Sequence, residues 1–450
     1  MPRFLPFALA LAALVAAPAV QAQTCQPIPI VWPSAENPIW ELDAYPVSLS
    51  TGPDGSGLEI RNVRYRGRTV LKRGHVPILN VRYVTGCNCF RDWMRSNTRF
   101  ISDNTVGACH SEPEPGTVQT MCDVGVQSSD IGSFQGIAVE READSFTLTT
   151  QSSAGWYRYK MSWTFERDGT IRPEFGFSNT TNSCALNPRR HYAYWRLDFD
   201  IETAGGNRAA ESRGGQLWET LPAETSRLWD HPDETLAPTM WAVFNNETGR
   251  GYSITPGELE YLTPANPGTG NPTIDNFARE DIVFSRYREG QLTDNRACSA
   301  NFTGGSNPIV QGEDITDHDI VVWYRTGATK VGGHDEVCYP LGPVIRPLGD
   351  WGQFGTTAEE GATPAPLALE AFPNPFDRTT TVRFTLDQPQ AVTVTLYDGL
   401  GRPVRTLYEG AASGTHEVRV EGAGLPAGAY TVRLLGEGGL AATTRVVLIR

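Results

Sequence analysis

An all-β protein is predicted for this 450-residue chain: a large antiparallel β-sandwich followed by a small immunoglobulin-like β-sandwich. Three observations carry that expectation. Apolar and polar residues alternate with a period of two through "SFTLTTQ", "GWYRYKMSWTFERDGTIRPEFGF" and "HYAYWRLDFDI", the period of a strand with two distinct faces. Turn residues punctuate these runs, 45 glycines and 32 prolines in all, and no stretch has the spacing of a long amphipathic helix. Composition then breaks near Thr356, because every cysteine and tryptophan lies before it.

In chain order, residues 1–22 come first. Arg3, an apolar run broken by Pro18, and the small residues Val20 and Ala22 predict a secretory signal peptide cut after Ala22. No later stretch reaches the roughly 18 uninterrupted apolar residues of a membrane span. The formal net charge of −13 becomes one unit more negative when Arg3 leaves, and there is no basic block, so nucleic acid and anionic membrane surfaces are not expected partners.

Residues 25–351 form the large domain. It holds all eight cysteines (Cys25, Cys87, Cys89, Cys109, Cys122, Cys184, Cys298 and Cys338), an even number in an exported chain, which predicts disulfides with open connectivity. Zinc at Cys87, Cys89, Cys109 and Cys122 is the lesser alternative, since their spacing fits a finger poorly. Residues 352–371, containing "TTAEEGATPAPLALE", read as an Ala, Pro and Glu linker. Residues 372–450 then alternate again in "TVRFTL", "VTVTLY", "HEVRVE", "YTVRLL" and "TRVVLI", the short strands of a small sandwich.

That tail has a family look. "AFPNPFDRTTTVRFTL", "VTLYDGLGRPVRTL", "GTHEVRV" and "LPAGAYTVRLL", in this order and ending at the basic Arg450, resemble the C-terminal sorting domain of type IX secretion cargo. The resemblance implies that the tail engages the type IX export machinery. It also implies passage through the periplasm and outer membrane to a secreted or cell-surface location, with removal of the tail or surface attachment.

In the large domain one strand poses a chemical question. In "RRHYAYWRLDFDIE", Arg189 to Glu202, one face carries His191, Ala193, Trp195, Leu197, Phe199 and Ile201. A single histidine thus stands on the apolar face, as a core imidazole or as a metal ligand. The segments "GLEIRNVRYRGRTVL", "WTFERDGTI", "WRLDFDIETAGGNR", "WAVFNNETGRGYSITPG" and "DIVVWYRTGATKV", spanning about Leu58 to Trp351, resemble in order the catalytic domain of copper amine oxidases. The resemblance implies a tyrosine converted to topaquinone, a Cu(II) held by three histidines and a catalytic aspartate; the quinone condenses with a primary amine and the aspartate takes its α-proton.

Carried over position by position, the resemblance puts the cofactor tyrosine at Tyr157, between Trp156 and Arg158, and the second ligand at His191. The first and third ligand positions are Arg189 and Lys330, with His334 four residues beyond Lys330. Asp103 in "NTRFISDNTVG" is the candidate base. Protonated arginine and lysine cannot coordinate copper, and at 4 Å two unit charges repel by about 4 kcal/mol at an effective dielectric of 20. The expected state is therefore an exported protein that has lost the oxidase reaction, binds neither copper nor quinone, and serves as a binding or surface module. The alternative is a working copper- and topaquinone-dependent primary amine oxidase, releasing aldehyde, ammonia and hydrogen peroxide, with a site rebuilt from His191, His334 and another histidine such as His110.

Overall fold

Two-residue alternation becomes two packed sheets. The computed structural model describes residues 25–352 and 369–449, apart from 53–54, 84–86, 88–89, 104–108, 126–129, 181, 214–217, 228–238, 258–280, 292–308, 331–337, 339–340, 375, 398–402, 427 and 437–440. The first sheet has nine strands, in the order β1 (Ile28–Trp32), β2 (Trp40–Tyr45), β3 (Glu59–Tyr65), β4 (Arg68–Tyr83), β12 (Arg189–Phe199), β19 (Ile320–Lys330), β18 (Ile282–Arg286) and β15 (Thr225–Arg227), with β5 (Phe90–Asp92) beside β4. The second has eleven: β14 (Glu219–Thr220), β13 (Asn207–Ser212), β16 (Met240–Asn245), β17 (Gly251–Thr255), β20 (Val344–Leu348), β11 (Ile171–Asn179), β10 (Tyr157–Glu166), β9 (Ser145–Ala154), β8 (Ile137–Arg141) and β7 (His110–Ser111), with β6 (Ser96–Asn97) beside β9. Among the described residues the one α-helix is the four-residue turn Met121–Val124, and no helix is long and apolar enough to cross a membrane.

Aromatic residues fill the space between the sheets. Trp195 of β12 meets Trp163 of β10 edge to face at 5.2 Å, Trp40 of β2 meets Phe165 of β10 at 5.1 Å, and Trp32 of β1 meets Phe146 of β9 at 5.9 Å. The other face of β12 departs from the simple in-and-out alternation. Tyr192 and Tyr194 are as buried as Trp195, in a second apolar cluster with Ile78, Val283, Ile309, Val321 and Trp323. The outer side of this sheet is covered, so both faces of its central strand lie in protein.

Disulfides join Cys25 to Cys109, Cys87 to Cys184 and Cys122 to Cys338; Cys89 and Cys298 lie outside the described residues. The chain divides into two units after Phe354. The second is an antiparallel five-stranded sheet of β21 (Leu369–Phe372), β22 (Thr379–Tyr397), β24 (Gly428–Gly436) and β25 (Ala441–Leu448), with β23 (Pro403–Glu421) on β22. The stretches "TVRFTL" and "VTVTLY" are one strand rather than two, since the chain runs on through Pro389 with a register shift between Leu386 and Gln390. A bulge absorbs the residues that interrupt the alternation.

Candidate functional site

Strand register assembles the site. On β12, Arg189 lies opposite Tyr83 of β4 on one side and Lys330 of β19 on the other, while His191 lies between Val81 and Ala328. The facing sheet supplies β10 and β11, where Tyr157 pairs with Asn179 and Tyr159 with Phe177. The odd-numbered side chains of β12 therefore meet the odd-numbered side chains of β10 and β11 across the interior.

His191 is fully buried and its ring stacks on Phe177 at 3.5 Å between centroids. The Tyr157 ring meets it edge on at 4.6 Å. The Tyr159 hydroxyl lies 3.4 Å from His191 Nδ1 and donates to Asp92 Oδ2 at 2.5 Å, and His191 Nε2 has no hydrogen-bond partner among the described residues. Burial, then the Arg189 charge, holds the imidazole well below its usual protonation range, so it is neutral. Tyr157 is 2% exposed and shares a 2.5 Å hydrogen bond with the Tyr83 hydroxyl; burial pushes its ionisation upward. Asp92 is partly buried, and that burial raises it to about 6 against the opposing hydrogen bond from Tyr159.

Arg189 is held firmly. Its guanidinium donates through Nη2 to Asn179 Oδ1, and through Nη1 to the carbonyls of Ala185 at 2.5 Å and Asn187 at 3.3 Å. Its Cζ lies 5.6 Å from the Tyr157 ring centroid. The Cys87–Cys184 disulfide fixes the turn Cys184–Leu186, whose Ala185 carbonyl is one of those acceptors.

The described residues at the implied copper position do not fit the ion. They offer one imidazole, against an aromatic ring, beside a fixed guanidinium, where Cu(II) requires several neutral or anionic donors. Of the residues singled out from sequence, Tyr157 and His191 come together. Asp103 is exposed, beyond the bridge of Ile101 with Gln119. His110, on β7, borders a surface pocket of about 380 Å³ with Gln26, Pro29 and Glu112. His334 lies outside the described residues, as do most of residues 352–371. Sequence reading missed Tyr83, Asp92, Phe177 and Asn179, which carry no local motif and enter through register.

A second group sits at the far end of β12. Asp198, Asp200 and Asp319 each bring a carboxylate oxygen to within 4.8 Å of the others. The register of Phe199 with Ile320 places Asp319 beside the β12 end. Arg196 Nη1 reaches Asp198 Oδ2 at 3.4 Å, and the charges of Arg73 and Lys72 also act on the group. Burial and then repulsion from Asp198 raise Asp200 to about 6, and burial with repulsion from Asp198 and Asp200 raises Asp319 to about 8. A divalent cation with oxygen ligands has the charge and hardness to relieve this crowding.

Comparison with known proteins bears on both units. Residues 370–449 match the family "Secretion system C-terminal sorting domain". No curated protein matches the chain at a significant level. Among solved structures, it is similar to the Pichia pastoris lysyl oxidase at 13% identity and TM-score 0.45, covering 69% of this chain and 51% of that one. The Aspergillus nidulans amine oxidase gives 15% identity and TM-score 0.44, covering 69% and 50%. A copper-containing benzylamine oxidase from Hansenula polymorpha gives 13% and 0.46, covering 74% and 64%. The chain thus spans between half and two thirds of these proteins. It carries a type IX secretion C-terminal sorting domain behind a two-sheet all-β domain, and it is cargo exported across the outer membrane to a secreted or cell-surface location.

Proposed function

We propose that the large domain is an exported binding or surface module that does not oxidise amines. One observation carries the reading: Arg189, at the first implied copper-ligand position, is fully buried and both its terminal nitrogens are engaged by Asn179, Ala185 and Asn187. A guanidinium fixed there repels a divalent cation and supplies no lone pair. Lys330 stands opposite it in register. Without copper nothing activates oxygen toward the Tyr157 ring, which stays ordinary tyrosine hydrogen-bonded to Tyr83.

The second reading, a copper- and topaquinone-dependent primary amine oxidase, draws on the adjacency of Tyr157 and His191. It requires further histidines, with His334 the nearest in sequence to the third ligand position. One experiment separates the two. The purified exported protein is incubated with Cu(II) and oxygen, then assayed for bound metal, the mass of the Tyr157 peptide and peroxide formed from a panel of primary amines. Unmodified tyrosine, no tight copper and no peroxide are expected. One equivalent of retained copper with a quinone-modified Tyr157 restores the oxidase.

A further inference from the structure

The last strand of the large domain sits in the middle of its sheet. β20 lies between β17, which it pairs over five residues from Gly251↔Leu348 to Thr255↔Val344, and β11, which it joins at Ile171↔Ile345. Without it the eleven-stranded sheet separates into one half ending at β17 and another ending at β11, each with an open edge. The approach to β20 is closely fitted. The Leu341 carbonyl accepts from Phe175 N at 2.9 Å, and a Cβ on Gly342 would lie 1.9 Å from the Pro173 carbonyl oxygen, so no larger residue passes there.

The exit is clasped. Trp351 is 5% exposed, packs on Tyr252 at 5.1 Å and Tyr65 at 5.9 Å, and donates its indole N–H to the Leu348 carbonyl at 3.1 Å. Three arginines from two turns hold the backbone that follows: Arg250 on the Asp350 carbonyl, Arg68 on that of Trp351 and Arg66 on that of Gly352. Arg68 and Arg250 also share Glu202. The Cys122–Cys338 disulfide tethers the chain just before this stretch.

We propose that Val344–Gly352 is a closing strap. It docks after the two halves of the sheet have formed and holds them as one cooperative unit. Among the described residues the last clasp contact is on the Gly352 carbonyl, and a cut beyond it is expected to leave the strap docked. Completion of the domain is thereby tied to its last described residues, ahead of the linker and the sorting tail.

Hydrogen exchange on the mature full-length chain tests this. Trp351→Ala is expected to speed exchange in Val344–Leu348, Gly251–Thr255 and Ile171–Phe175 together by about tenfold or more, with Ser145–Ala154 nearly unchanged. Trp351→Phe should recover most of the protection. Should Trp351→Ala fail to fold, Arg66→Ala, which removes one clasp hydrogen bond, should produce a smaller rise in the same three segments. Proteolysis within residues 353–368 should leave all three rates unaltered. Faster exchange confined to Val344–Leu348, a rise shared equally by Ser145–Ala154, or loss of protection on cutting the linker overturns the proposal.

Discussion

The carboxyl of Asp92 carries a pH dependence that can be isolated. Its folded-state pKa of about 6 lies above the value of about 4 expected in the unfolded chain. The folded protein therefore holds this proton more tightly, and stability falls as pH rises from about 4 to about 6. Asn at this position keeps an acceptor for the Tyr159 hydroxyl and removes the titration. Asp92→Asn should flatten the stability profile over that interval and leave the protein more stable at pH 7 by about 1–2 kcal/mol, allowing for partial exposure; denaturant melts at several pH values check this. The Asp198, Asp200 and Asp319 group makes a separate prediction from its geometry. Asp319→Asn should stabilise the chelator-treated protein by about 1 kcal/mol, whereas millimolar calcium should raise the melting temperature of the parent and not of the variant.

At the scale of an element, β12 shows how two sheets enforce each other. Gly74 on β4 lies against Trp163, the partner of Trp195, where an added Cβ would sit 2.7 Å from Trp163 Cη2 and 3.1 Å from an Ile60 carbon. Gly74→Ala forces a shift in a packed layer and should cost about 1–3 kcal/mol in thermal or denaturant unfolding. Strand periodicity made β12 and its histidine legible, because alternation is local and the count from "WRLD" along the strand lands on His191. The buried second face was not legible, since it depends on what covers the outer side of the sheet. Tyr83 and Asp92 escaped for a related reason: each is one residue on a strand or strand end, and only pairing brings it to Tyr157 or Tyr159.

For the whole molecule, the division after Phe354 predicts separable behaviour. Deleting 370–449, the matched sorting domain, should leave the melting temperature of the large domain within about 2 °C of its value in the full chain, while the truncated protein stays behind the outer membrane. Fractionation of cells expressing both forms is the check, and truncated protein outside the cell contradicts it.

Composition, alternation and ordered motifs were sufficient for the all-β class, the exported character, the presence of disulfides and the sorting tail. Each rests on a pattern that repeats along the chain or lies within one segment. Tertiary structure alone brought Tyr157 and His191 together from facing sheets and decided what surrounds that pair. The Asn179 acceptor for Arg189 and the Phe177 ring under His191 come from β11, the Tyr83 hydroxyl on Tyr157 from β4 and the Asp92 carboxylate on Tyr159 from β5. Their meeting is set by register and sheet packing, in which a one-residue slip would turn every side chain to the opposite face.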